Sequence, residues 1–194
     1  MHREEQNKVR RVLESVLQSA ADFGLGDFLL IGGNAVIAHG VPRFTRDVDF
    51  VIPDREESAW RNMLENTGFE MFHGTHAFLQ FREKNPPQIR VDLMLVDEST
   101  WQKLEADAWR LELGDDNENR VVSPQHLIAM KLKACRSSNR REDAVDWRDI
   151  VELTMLHGFR PESEGQYADF VIRFGGEELH RKLVDEIKAR RNDL

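Results

Sequence analysis

Gly32-Gly33-Asn34-Ala35-Val36-Ile37-Ala38-His39-Gly40-Val41-Pro42-Arg43-Phe44-Thr45-Arg46-Asp47-Val48-Asp49 is the stretch on which the fold of this chain turns. Just before it, Asp27-Phe28-Leu29-Leu30-Ile31 is a short apolar run of strand type. The glycine pair ends that strand and lets backbone come close to a ligand. Asn34 to His39 then reads as a short helix. Its first N–H groups lack internal partners and present partial positive charge, so a phosphate fits there without a cationic side chain.

Asp47 and Asp49 sit two residues apart in Asp47-Val48-Asp49-Phe50-Val51-Ile52, a run of strand character. Period two puts both carboxylates on one face, where they repel unless a cation lies between them. Hard oxygen ligands of this kind suit Mg²⁺ carrying substrate phosphates. A third carboxylate, Asp92, interrupts the apolar run Ile89-Arg90-Val91-Asp92-Leu93-Met94-Leu95-Val96, which reads as a buried central strand where a bare charge is costly. If this strand lies beside the one carrying Asp47 and Asp49, three carboxylates converge as two-metal phosphoryl or nucleotidyl transfer requires.

In this order the residues resemble the nucleotidyltransferase superfamily with a polymerase-beta type of core. Its pattern is a glycine pair or Gly-Ser at a strand end, then Asp-x-Asp, then a lone Asp on a later strand. The extended form around Arg43, Thr45 and Asp47 is similar to the small bacterial AbiEii-type and minimal nucleotidyltransferases, over residues 27–150. A helix of the form Leu-x-x-x-Lys-Leu-x-Ala and a following Asp-x-x-Asp-Ile, common in that subgroup, match Leu127 to Ala134 and Asp146, Asp149 and Ile150.

The resemblance implies an α+β nucleotidyltransferase fold, a mixed sheet flanked by helices with a C-terminal helical extension. It implies Mg²⁺, with Mn²⁺ as a substitute, and an NTP whose nucleoside monophosphate passes to an acceptor hydroxyl. Asp47, Asp49 and Asp92 would be the catalytic carboxylates and metal ligands. Gly32, Gly33, Asn34, Arg43, Thr45 and Lys131 would bind the nucleotide, Lys131 at the triphosphate. Asn34 stands where the better characterised pattern has a serine, and its amide could donate in place of the hydroxyl. The acceptor stays open among RNA, a small molecule such as an aminoglycoside or lincosamide, and a protein. The toxin branch is favoured, with a cognate antitoxin as partner. The alternative is a catalytically silent nucleotide-binding or regulatory module on the same fold.

Taken singly, these residues have plainer readings. A glycine pair is an ordinary turn, Asp-x-Asp a solvated strand edge, and Asp92 a salt-bridge partner of Arg90 or Arg82. Lys131 alone is one more exposed lysine on an amphipathic helix. Arg43 is placed to meet a phosphate or the substrate, while Thr45 could simply cap the turn. His39 reads as a neutral histidine packed against the sheet. His73 and His76 flank Gly74-Thr75 in a hairpin turn and lack a third metal ligand.

The 194 residues, 40% hydrophobic, suffice for one catalytic region over residues 1–122 and a helical C-terminal region over 123–194 packing on it. The longest apolar stretch, Phe28 to Val41, is interrupted and too short to span a bilayer, and the charged start does not resemble a signal peptide, so a cytoplasmic protein is expected. The single Cys135 reads as a reduced structural thiol. A net charge of −8 argues against a broad nucleic-acid surface. Residues 131–141 nevertheless concentrate lysine and arginine, enough to neutralise a triphosphate or hold an acceptor stem, or equally to complement a helix dipole.

Hydrophobic spacing predicts helices over 5–23, 55–66 and 99–107, and strands over 27–31, 47–52, 70–72, 77–82, 89–96 and 109–113. Residues 114–119 read as a loop outside the core. Helices follow over 124–136 and 141–157, the first entered through Ser123-Pro124. A further pair lies within 161–191, hinged at Gly175-Gly176.

Overall fold

The computed structural model describes residues 2–86, 88–112, 118–136, 143–163 and 165–192. The chain forms two compact units: residues 1–38 with 42–123, and residues 39–41 with 124–194.

The first unit carries α1 (His2–Asp22), β1 (Leu29–Leu30), α2 (Gly32–Ala38), β2 (Asp47–Pro53), α3 (Glu57–Asn66), β3 (Phe69–Gly74), β4 (Phe78–Glu83), β5 (Arg90–Val96), α4 (Glu98–Ala106), β6 (Trp109–Glu112) and β7 (Glu118–Val121). The seven strands make one mixed sheet in the order β3-β4-β5-β2-β1-β7-β6. β2 and β5 are parallel neighbours at its centre, and β1 is antiparallel to β2 but parallel to β7.

The alternation seen in the sequence decides the two faces of the central strands. Val48, Phe50, Ile52, Val91, Leu93, Leu79 and Phe81 point to one side and are almost wholly buried. Phe50 meets Trp60 of α3 with ring centroids 5.4 Å apart, and α1 seals the core with Val9, Val12, Leu13 and Val16 at helical spacing. Asp47, Asp49, Arg90 and Asp92 alternate to the opposite face. The helix α4 begins at an N-cap: Asp97 accepts from the Ser99 hydroxyl at 2.7 Å and from the Thr100 N–H at 2.8 Å, and these bonds hold its carboxyl below the usual range.

Three boundaries differ from expectation. The strand expected over 27–31 is regular only at Leu29–Leu30, because Gly32 turns the chain into α2 at φ +61°. A single 3-10 turn over Asp54–Glu56 precedes α3. The loop expected over 114–119 is in part a strand: Glu118 and Asn119 belong to β7, which pairs with β6 and, through Leu30↔Val121, with β1. Nothing in Glu-Asn-Arg-Val signals a strand; the open edge of β1 selects it, and the Val122 N–H donates to the Leu30 carbonyl at 3.2 Å. The rest of that loop, residues 114–117, lies outside the described residues.

The second unit is helical: α5 (Pro124–Arg136), α6 (Asp143–Leu156) and α7 (Gln166–Asn192). Its core includes Leu127, Ile128, Leu132, Ile150, Val151, Leu153, Val171, Leu183 and Ile187. α7 is two helices joined at a kink, where Gly176 has φ 81° and ψ 170°. A side chain on neighbouring Gly175 would begin 2.9 Å from Leu132 Cδ2, so the glycine pair serves both the bend and close packing on α5. The half of the basic segment over 137–141 lies outside the described residues. Among those described, no helix is long and apolar enough to cross a membrane.

Candidate active site

The register of β2 and β5 builds the site. Asp49 stands opposite Asp92 and Asp47 opposite Arg90 across parallel strands. Asp47, Asp49 and Asp92 are each half-buried, and each offers a carboxylate oxygen within 4.8 Å of the other two. Three hard oxygen donors at this spacing, on a sheet face that admits water, fit Mg²⁺ or Mn²⁺.

The other parts of the decisive stretch wrap this cluster. A Cβ on Gly32 would sit 2.0 Å from Asp49 Oδ2, and one on Gly33 would sit 2.4 Å from Thr45 Oγ1 and 3.3 Å from Arg43 Cζ. The glycine pair thus makes room for the protein's own carboxylate, hydroxyl and guanidinium at the start of α2. Asn34, 5% exposed, donates its amide Nδ2–H to the Asp47 carbonyl at 2.9 Å and ties α2 to the entry of β2. The Thr45 hydroxyl, also buried, donates to Asp47 Oδ1 at 3.1 Å.

Two residues outside the predicted set complete the arrangement. Arg90 donates from Nη2 to Asp47 Oδ2 at 2.8 Å. Burial works to lower the Arg90 pKa, but attraction to Asp47, Asp92 and Asp49 outweighs it and holds the guanidinium above its ordinary value. On β4, Gln80 donates its amide to Asp92 Oδ2 at 2.9 Å. Period two could have found Arg90, which lies two residues before Asp92, whereas Gln80 faces Asp92 only through the β4–β5 register. Arg90 hydrogen-bonds Asp47 and is also attracted by Asp92, while Arg82 pairs with Glu70 at 2.8 Å.

Lys131 belongs to the second unit. Its Nζ lies 2.8 Å from Asp146 Oδ1 and 2.7 Å from Asp149 Oδ2, with Lys131 and Asp149 side chains 7% and 3% exposed. The lysine expected at the triphosphate therefore has its charge taken up by two carboxylates of α6, the same Asp-x-x-Asp that accompanied it in the sequence. His39 meets His157 ring edge to ring face at 5.3 Å within this unit. Among the described residues no histidine joins a cluster with metal-ligand spacing. His73 lies on β3 and His76 in the turn that follows, both exposed.

A family model described as nucleotidyl transferase AbiEii toxin, type IV toxin–antitoxin system, matches residues 15–193. The chain belongs to this AbiEii family. It is a nucleotidyltransferase, and its fold matches that of solved relatives. An antigenic nucleotidyltransferase-like protein from Paracoccidioides brasiliensis is 21% identical, with a TM-score of 0.56 over 97% of this chain and 91% of that one. ANT(2")-Ia in complex with adenylyl-2"-tobramycin is 14% identical, with a TM-score of 0.58 over 93% of this chain and 97% of that one. At such identities the likeness is one of fold. No curated protein matches by sequence.

Proposed function

We propose that this AbiEii-family chain is a Mg²⁺-dependent enzyme that moves a nucleoside monophosphate from an NTP to an acceptor hydroxyl, releasing pyrophosphate. The observation carrying this reading is the convergence of Asp47, Asp49 and Asp92 oxygens within 4.8 Å. Asp47, Asp49 and Asp92 would hold divalent ions, which supply charge neutralisation of the triphosphate and lower the pKa of the bound hydroxyl. Asp92, oriented by Gln80, would take the proton of the acceptor hydroxyl as the oxygen attacks the α-phosphorus and the bond to pyrophosphate breaks. Thr45 and Asn34 would keep Asp47 and the entry of β2 in place.

The backbone of Gly32 to Asn34 and the Arg43 guanidinium beside it would bind phosphate oxygens. Lys131 would act on the triphosphate only by loosening its hold on Asp146 and Asp149. The acceptor is RNA, a small molecule or a protein, and the family favours a toxin working against a cognate antitoxin in the cytoplasm. The silent-module alternative gains no support from an acidic cluster whose three members all persist.

The test is to offer purified protein Mg²⁺, each α-labelled NTP and total tRNA, an aminoglycoside panel or the protein itself as acceptor. Label should pass to one acceptor class and be lost in Asp49→Ala, a variant that should melt like wild type. Transfer at wild-type level by Asp49→Ala would refute the assignment.

A further inference from the structure

The acidic cluster has a basic neighbour in its own unit. Lys8 of α1, Arg46 of the segment before β2, and Arg90 at the start of β5 line a cavity of about 360 Å³, with Phe44 in its wall and Glu5 the one carboxylate among the lining residues. The Arg46 guanidinium rests 5.8 Å from the Phe44 ring centroid, which holds its charge at the cavity. Gln88, also lining the cavity, adopts φ 56°, unusual for a residue with a side chain, and so turns the chain sharply into β5.

Arg90 is common to both sites. It lines the cavity while donating to Asp47 Oδ2, and its side chain is 45% exposed, so it has room to move. A divalent ion coordinated by Asp47 would set two positive charges beside the guanidinium and cancel the attraction that keeps it there. The cavity offers the displaced fork another use, since an anion inside would meet three cations against one carboxylate. A guanidinium binds phosphate oxygens in pairs, which suits it to that role.

We propose that Arg90 exchanges Asp47 for a phosphate-type anion in this cavity when a divalent ion takes the acidic cluster, making the cavity an acceptor-phosphate subsite armed by metal binding. This rests on the proposed function, because it requires the cluster to bind metal. It adds a substrate class: an acceptor carrying a phosphate near its reactive hydroxyl, in contrast to a polyamine, which these cations repel. Thermodynamic linkage makes the effect mutual, so that phosphate in the cavity tightens the metal as the metal tightens phosphate.

Calorimetry on the full chain tests this, with Mn²⁺ alone as the first probe and inorganic phosphate, with and without Mg²⁺, as the second. Arg90→Gln should bind Mn²⁺ about tenfold tighter than wild type, with Arg90→Lys between them. Wild type should bind phosphate about tenfold tighter with Mg²⁺ present. The Lys8→Ala and Arg46→Ala double variant should lose phosphate and keep wild-type Mn²⁺ affinity, which excludes phosphate held by the metal itself.

Unchanged or weaker Mn²⁺ binding by Arg90→Gln, or phosphate binding indifferent to Lys8 and Arg46, overturns the inference alone, provided wild type binds Mn²⁺ and Asp49→Ala does not. Absence of Mn²⁺ binding by wild type overturns the functional reading and this inference with it. Competition then identifies the source: displacement of phosphate by glycerol phosphate points to a small phosphomonoester, and displacement by a ribotrinucleotide to a nucleic-acid phosphodiester.

Discussion

Replacing Gly32 by alanine tests whether the glycine corner serves the acidic cluster. The position has φ +61°, and the new Cβ would stand 2.0 Å from Asp49 Oδ2, 2.5 Å from its Cγ and 2.8 Å from its Cβ. Rotating Asp49 about χ1 cannot relieve the last contact, so β2 or α2 must shift. The left-handed backbone alone costs an alanine about 1–2 kcal/mol, and forced repacking adds about 1–3 kcal/mol. Gly24→Ala isolates the first effect, because Gly24 has φ +72° with nothing within 4 Å of the added carbon.

A chain of this size loses about 2–4 °C in Tm per kcal/mol. Gly24→Ala should therefore cost a few degrees and Gly32→Ala roughly twice that or more. Displacing Asp49 by about an ångström should also lower turnover by about 10²-fold in Gly32→Ala, while Gly24→Ala stays near wild type. Calorimetric melting and initial rates on the two variants side by side decide the matter. Equal destabilisation and equal activity would show that the glycine is needed only for its backbone angle, and the argument from Asp49 would fall.

Lys131→Met should destabilise by about 3–5 kcal/mol in urea titration, since it leaves Asp146 and Asp149 facing each other with little solvent. Adding Asp149→Asn should restore part of that loss, whereas a loss under about 1 kcal/mol in the single variant would show the lysine to be structurally dispensable. Tyr167, the chain's one tyrosine, is pushed up to about 12 by burial, partly opposed by its hydrogen bond with Thr154 at 2.9 Å. The unfolded chain releases this proton near pH 10, so the folded state retains more protons above that point and loses stability as pH rises from about 10 to 12. Phenolate absorbance should accordingly appear together with unfolding; its appearance near pH 10 in still-folded protein would contradict the burial argument.

The central strands were readable because apolar runs broken by aspartate at period two can bury one face only with the carboxylates turned to the other. That pattern gave β2, β5 and the convergence of Asp47, Asp49 and Asp92. β7 was not readable, because a strand recruited by backbone pairing to β1 needs no apolar alternation of its own. Arg90 was visible but its partner was not. Whether a cation beside an Asp-x-Asp serves one carboxylate or another depends on register, and register is fixed by Asp47↔Arg90 pairing across 43 residues of chain. Lys131, Asp146 and Asp149 were legible as a motif, while their pairing with one another appears only once α5 and α6 pack together.

β1 is two residues long, and it is the strand that delivers the chain to Gly32. It is held from one side by β2 and from the other by Val121 of β7. On a ribosome, then, the site comes together in stages: the glycine corner can meet Asp49 within residues 29–53, Asp92 joins them with β5, and β7 closes the far side of β1 almost thirty residues later still. The three carboxylates come together only when strands far apart in the chain, β2 and β5, have both been made and paired.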